Sequence, residues 1–390
     1  MKHHLSMSDS ITITPCPKAA TTEPPAHWVG NPPVQFRNPW PSFRQSHTLA
    51  EIWRVRFSSD RNFVPVPEDR SELVNIQTPD WGAQKHGTKA TWLGHASFFI
   101  ETRPEQSQGR GIRMLIDPVF CERMGPTGFI GPKRFSSTPC QLGDLPEVDV
   151  VCISHNHYDH LDLVAVKALY FDKRRERPLH FFCGLGTKKW FASCGIREEH
   201  VTEMDWWDEV DIAVKDVGSL KLACTPSQHG SRRGAWDESR MLWCSWVIEE
   251  LSSSHKVIFF AGDTGYRSVT EEDIAAGKDL SELPTCPAFS EIGSKYGPFD
   301  LALLPIGCYT PRTFMSDVHC SPEDSIGIHK DIKSKRSLGM HYGTVRGGLS
   351  AQYEDVREPP KKWREACEKS GLKWNDEIFL CDIGETVVVE

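Results

Sequence analysis

The feature that most constrains this chain is the hexapeptide His155-Asn156-His157-Tyr158-Asp159-His160, which directly follows the apolar run VDVVCIS. A short run of apolar and β-branched residues reads as a buried strand, so the hexapeptide sits where a strand ends and the chain must turn. Three imidazoles and a carboxylate in six residues are hard to place by packing alone, because each needs a polar partner once water is excluded. Such N/O donors instead suit borderline-soft cations. On a tight turn His155 and His157 can point to one side and Asp159 and His160 to another, which creates two neighbouring metal positions. A merely solvated turn leaves this density of ligands unexplained.

Further ligands are expected at other strand ends. His229 in TPSQHG, Asp263 in FFAGDTGY and His341 in LGMHYG each follow an apolar run and precede Gly or a Gly-containing turn. Taken singly, a strand-end His is ordinarily a hydrogen-bonded structural residue and a Gly-Asp pair a turn former. Beside the hexapeptide they read as the rest of one ligand set, and seven N/O side chains suit two cations better than one.

The remaining text supplies many strand ends. After Lys89 short runs recur: KATWLG, ASFFIE, IRMLID, VDVVCIS, LHFFCG, LKLACTP, LWCSWVIE, KVIFFAG, DLALLP and SLGMHYG, bordered by Gly, Pro or Asp. Helical text falls between some of them, at 161–170 and at 322–333, the latter with Ser321 as N-cap, Pro322 in first position and Glu323 and Asp324 in the first turn. Strands with interleaved helices predict a layered α/β fold. Residues 267–286 are polar and read as a loop inserted between two strand-end motifs. Residues 1–35, rich in Pro, Thr and Ser without an apolar period, read as a disordered N-terminal extension. Residues 36–390 then form the folded domain, opened by a strap at 36–88 with a short helix near LAEIWRVRF. Trp40, Trp53 and Trp81 are expected to anchor the strap, a lipid-facing surface being the alternative.

Composition excludes several classes. With 39% hydrophobic residues, 13 Trp and 19 Phe, a large core is available. The 45 Lys+Arg against 53 Asp+Glu leave −8, which argues against nucleic acid as a partner. Thirteen cysteines scattered without a CxxC pair indicate neither a disulfide framework nor a cysteine zinc finger, and a reducing, intracellular location is expected. The opening MKHHLSMSDSITIT lacks the apolar core of a signal peptide, and no apolar stretch approaches the roughly 18 residues of a transmembrane helix. Membrane contact is therefore expected to be peripheral.

Specific blocks of text run through the chain: NPWP at 38–41, TWLGHAS at 91–97, GPKRF at 131–135, SHNHYDHLD at 154–162, MDWW at 204–207, TPSQH at 225–229, GDTGY at 262–266 and PIGCYTPR at 305–312. By these blocks the chain resembles, from about Phe36 to the C-terminus, the N-acyl-phosphatidylethanolamine-hydrolysing phospholipase D family of the metallo-β-lactamase superfamily. HxHxDH alone marks only the superfamily. The resemblance implies a four-layer αββα sandwich with two zinc ions, His155, His157 and His229 on one, Asp159, His160 and His341 on the other, and Asp263 bridging. It also places His319 and Tyr158 beside a lipid substrate. The implied reaction is attack of a metal-bridging hydroxide on phosphorus, yielding N-acylethanolamine and phosphatidic acid, with Asp263 and His319 as catalytic residues and either His319 or a zinc-bound water protonating the leaving alkoxide. The partner implied is a phospholipid at a membrane surface, and the family suggests a homodimer.

Departures from the family pattern lie close to the metal motifs. Gly230 stands where relatives tend to carry an aromatic residue, the 267–286 insert follows GDTGY, and the residues around His319 differ. Arg232 and Arg233 read either as a phosphate-attracting pair or as a solvated face. Two other functions share the ligand set: a hydrolase of another ester, such as a lactonase or nucleotide phosphodiesterase, and a non-catalytic metal-binding scaffold.

Overall fold

Period-two alternation decides which way each strand faces. The structure, a computed structural model, describes residues 10–18, 23–44, 49–59, 61–104, 108–234, 236–252 and 255–390. In Val150–Ile153, Val150 and Cys152 join one buried cluster and Val151 and Ile153 another. The split recurs at Phe98 and Ile100 against Phe99, at Met114 and Ile116 against Leu115, and at Phe182 against Phe181 and Cys183. The first set packs against a second sheet through residues such as Leu222, Trp246 and Phe260, with Phe98 and Phe260 edge to face at 6.4 Å. The second set lies under Val166 and Leu169 of helix Leu163–Tyr170 and Phe191 of helix Lys188–Ser193.

One sheet has eight strands among the described residues, in spatial order Ile11–Pro15, Glu209–Val214, Gly218–Thr225, Ser245–Glu250, Val257–Phe260, Leu301–Pro305, Ser337–Met340 and Ile378–Phe379. The other has seven, in the order Thr386–Val389, Thr88–Trp92, Phe98–Glu101, Arg113–Ile116, Val150–Ile153, His180–Gly184 and Val201–Met204. Each begins antiparallel and ends parallel. Parallel neighbours require crossovers, and helices Ala288–Lys295, Pro322–Asp331 and Glu358–Lys369 lie on the outer side of the eight-stranded sheet, burying Phe289, Ile328 and Trp363. The layers are helix, sheet, sheet, helix, as the αββα expectation states.

All ten apolar runs contain strands, and both helices form where expected. Ser321 and Asp324 make a reciprocal capping box at the start of Pro322–Asp331. Asp162 caps Leu163–Tyr170 through Val164 N at 2.8 Å, and its second oxygen takes the Phe120 and Cys121 amides at 2.9 Å. One carboxylate thus ties the turn after Arg113–Ile116 to the end of the hexapeptide.

Three expectations need correction. The extension at 1–35 is not wholly disordered: Ile11–Pro15 pairs antiparallel with Glu209–Val214, and Ile11 and Ile13 pack on the core. Two isoleucines suffice there because a sheet edge already offers the backbone partners. Trp28–Val29 pairs with Gln35–Phe36, and Trp28 Nε1 and His27 Nε2 both bond Asp205; residues 1–9 and 19–22 lie outside the described residues. In the strap, Trp40 stacks on Trp206 at 5.2 Å and Trp81 meets Phe99 at 5.0 Å, but Trp53 is 67% exposed and anchors nothing. The 267–286 segment carries helix Glu271–Ala275, capped by Thr270, whose buried Asp273 binds Arg44 and Lys278 at 2.7 Å each. The insert is therefore docked on the strap. No helix among the described residues is long and apolar enough to cross a membrane.

Candidate metal centre

Strand ends deliver the site. After Val150–Ile153 the hexapeptide closes into a tight turn in which the His160 and Leu161 amides both reach the His157 carbonyl, at 3.1 and 2.9 Å. Asp263 follows Val257–Phe260, His341 follows Ser337–Met340 and His229 follows Gly218–Thr225. The two sheets thus bring all seven predicted ligands to one edge of the sandwich.

They assemble as two groups around one carboxylate. In the first, His155 Nε2 lies 2.9 Å and His229 Nε2 3.2 Å from His157 Nδ1. The second gathers Asp159, His160 and His341 together with His95. Asp263 stands between: Oδ2 is 3.2 Å from His160 Nε2 and 3.9 Å from both His155 Nε2 and His229 Nε2, and Oδ1 is 3.0 Å from His341 Nε2. His319 enters the same space, with Nδ1 3.9 Å from Asp263 Oδ2. Tyr158 lies on the turn with its hydroxyl donating to the Arg233 carbonyl at 3.1 Å.

The donor set fits metal ions. Buried polar atoms are nearly always hydrogen-bonded, yet His160 Nε2, His341 Nε2, Asp263 Oδ1 and His319 Nδ1 are all buried here without such a bond. Around them, outer contacts aim the free nitrogens inward. His160 Nδ1 bonds Asp117 at 2.8 Å, His229 Nδ1 bonds the Val318 carbonyl at 2.9 Å, and His155 Nδ1 meets Ser154 Oγ at 3.0 Å. This is how proteins fix the tautomer of a ligating imidazole.

Electrostatics divide the groups. Burial, reinforced by neighbouring imidazoles, holds His155 well below its usual range, and burial does the same at His229 despite Asp263. Both present neutral lone pairs at neutral pH. Burial also opposes charge on His160 and Asp263, but there the charges prevail: Asp263 and Asp159 push His160 well above its usual range, and His160 and His341 hold Asp263 well below its own. A proton on His160 thus compensates carboxylates that a divalent cation would neutralise instead.

Residues 112–342 match the model of the beta-lactamase superfamily domain. The Caenorhabditis elegans N-acyl-phosphatidylethanolamine-hydrolyzing phospholipase D 1 is 34% identical over 86% of this chain and 85% of its own length. The chain belongs to the N-acyl-phosphatidylethanolamine-hydrolysing phospholipase D family. The mitochondrial relative of that description from Saccharomyces cerevisiae is 28% identical over 90% of this chain and 75% of its own. Among solved structures, the isothiocyanate hydrolase from Delia radicum gut bacteria superposes with a TM-score of 0.51 at 20% identity, covering 77% of this chain and 98% of its own, a likeness of fold alone.

Several side chains near the centre are placed differently from what their local text implies. Arg233 is half-buried and packed on the hexapeptide, unlike a simple solvated cation. Its Nη1 donates to the Asn156 and Leu161 carbonyls at 2.9 and 2.8 Å, and its guanidinium lies 3.9 Å over the Tyr158 ring, so it braces the hexapeptide from outside. Arg232 is exposed and faces Glu238 at 3.7 Å. A Cβ on Gly230 would meet nothing within 4 Å, so packing there does not require glycine. Two further residues were missed as members of the site: Asp117, which holds Ser154 as well as His160, and His95, whose Nε2 lies 3.1 Å from Asp159 Oδ2. Asp117 read as the polar border of a strand, although His95 stands inside the TWLGHAS block.

Proposed function

We propose that this chain is a zinc-dependent phospholipase D that hydrolyses N-acyl-phosphatidylethanolamine to N-acylethanolamine and phosphatidic acid. The observation that carries the reading is its likeness to the nematode phospholipase over 85% of that protein's length. In this reading His155, His157 and His229 would hold one zinc and Asp159, His160 and His341 the other, with Asp263 serving both groups. Bound there, two ions would supply Lewis acidity at the phosphoryl oxygens and lower the pKa of an attacking water.

The chain's own groups do the rest. Asp263 sets the spacing of the two positions, since its oxygens reach both groups. Burial pulls His319 down to about 4, so it enters the reaction neutral. An anionic phosphodiester beside it would favour uptake of a proton from solvent, and His319 could then orient the phosphate and return that proton to the leaving alkoxide. Tyr158, whose ring lies under the Arg233 guanidinium, would contact the lipid. Exposed side chains such as Trp53, Phe129 (91% exposed) and Trp236 (88% exposed) offer apolar contact with a phospholipid surface, each buried CH₂ contributing roughly 0.8 kcal/mol.

The test is incubation of metal-analysed protein with dispersed N-acyl-phosphatidylethanolamine in ¹⁸O-water, with mass spectrometry of both products. Label in phosphatidic acid is expected. Label in a freed fatty acid would mean an acyl hydrolase, and turnover of a lactone or cyclic nucleotide without turnover of lipid would assign the site to another ester.

A further inference from the structure

Between strands Thr88–Trp92 and Phe98–Glu101 the chain turns through Gly94 and His95. The turn is tightly braced. Trp92 Nε1 donates to the His95 carbonyl at 2.9 Å, and the His95 amide donates to Thr344 Oγ1 at 2.8 Å. The same carbonyl accepts the His341 amide at 3.0 Å. His95 and His341 both have left-handed backbones, at φ +52° and +63°, uncommon for residues other than glycine. Their rings lie 4.1 Å apart. The backbone that carries one predicted ligand is thus pinned to His95.

The side chain reaches a second ligand. His95 is 2% exposed, and its Nε2 lies 3.1 Å from Asp159 Oδ2. An ionised carboxylate only accepts hydrogen bonds, so Nε2 carries the hydrogen and Nδ1, which has no partner, is the bare nitrogen. Asp159 needs such a holder. Its side chain is 30% exposed whereas those of His160, His341 and Asp263 are at most 2%, and His95 is its one hydrogen-bond donor among the described residues.

We propose that His95 is a positioning residue for the Asp159, His160 and His341 metal position, acting through Asp159 and His341 and not on substrate. The inference rests on the two-metal reading above. Without the imidazole, Asp159 is free to turn towards solvent, and that position loses a ligand. The His155, His157 and His229 group keeps its own holders at Ser154 and Val318 and stays intact. A ligand fixed by an outer hydrogen bond typically loses 10- to 100-fold in metal affinity when that bond is removed, on the order of the effect expected here.

The experiment compares wild type, His95→Ala and His95→Gln, reading zinc stoichiometry and affinity in metal buffers, the Co(II) absorption spectrum and circular dichroism. His95→Ala should keep one ion at wild-type affinity and bind the second about 10- to 100-fold more weakly. His95→Gln, whose amide N–H reaches the same carboxylate, should recover most of that loss. If the Ala variant fails to fold, the Gln variant decides: two ions at near wild-type affinity support the role. Two ions unchanged in His95→Ala, equal loss at both positions in a folded protein, or a Gln variant no better than Ala would overturn it. Wild-type protein binding fewer than two ions would instead overturn the two-metal reading and this inference with it.

Discussion

Oδ1 of Asp263 lies 3.0 Å from Nε2 of His341, close enough to touch yet without the alignment of a hydrogen bond. Both residues are buried, and they end strands separated by Leu301–Pro305 in the same sheet. Two buried donor atoms this close, neither with a hydrogen-bond partner, are what ligands of a shared cation would present. Asp263→Asn keeps the shape and removes the charge. We expect a native circular dichroism spectrum, loss of two-metal occupancy and nearly abolished turnover. Two zincs with wild-type turnover would refute the bridging role.

Asp117 is fully buried and receives His160 Nδ1 and the Ser154 amide, at 2.8 and 2.7 Å. Asp117→Asn keeps an acceptor but not the charge that makes His160 a better ligand. Metal affinity should fall about 10- to 100-fold, measured by chelator competition. An unchanged affinity would show that Asp117 only packs.

Glycine at 265 is required by a close approach: a Cβ there would sit 2.2 Å from the Asp317 carbonyl oxygen. The adjoining Val318 carbonyl holds His229, and His319 follows. Gly265→Ala should lower both thermal stability and turnover by displacing this loop, whereas Gly230→Ala, whose Cβ would meet nothing within 4 Å, should leave the melting temperature nearly unchanged. Equal melting temperatures for both variants would contradict the packing.

Acid sensitivity should come partly from outside the metal centre. Burial pulls His180 down to about 3 and His329 to about 4, from 6.5 in the unfolded chain. Below pH 6.5 the unfolded state binds more protons, so stability falls with pH until each folded value is passed. Each residue should cost roughly 2 kcal/mol at pH 5 relative to pH 7. Urea unfolding of wild type and His180→Gln at both pH values measures this, and an identical pH dependence in the variant would exclude His180 as a source.

The donor cluster was legible in the sequence where one short segment carries it. HNHYDH concentrates its donors on a single turn, so spacing alone implied two groups, and TPSQH, GDTGY and LGMHYG each announced a donor side chain at the end of an apolar run. Strands and helices were legible for the same reason, since alternation, Pro322 and the Ser321 cap are local signals. Tertiary structure alone decided what holds the ligands. Asp117, His95 and Arg233 act through hydrogen bonds to residues distant in sequence; the local text around Asp117 and Arg233 does not distinguish them from a turn former and a surface cation, and TWLGHAS marks His95 without showing what it holds. Ile11–Pro15 is ordered because the edge of Glu209–Val214 supplies its backbone partners, and the 267–286 segment is ordered because Arg44 of the strap reaches Asp273. Local periodicity reports which residues seek burial, but a partner far along the chain becomes a neighbour only when the sheets stack.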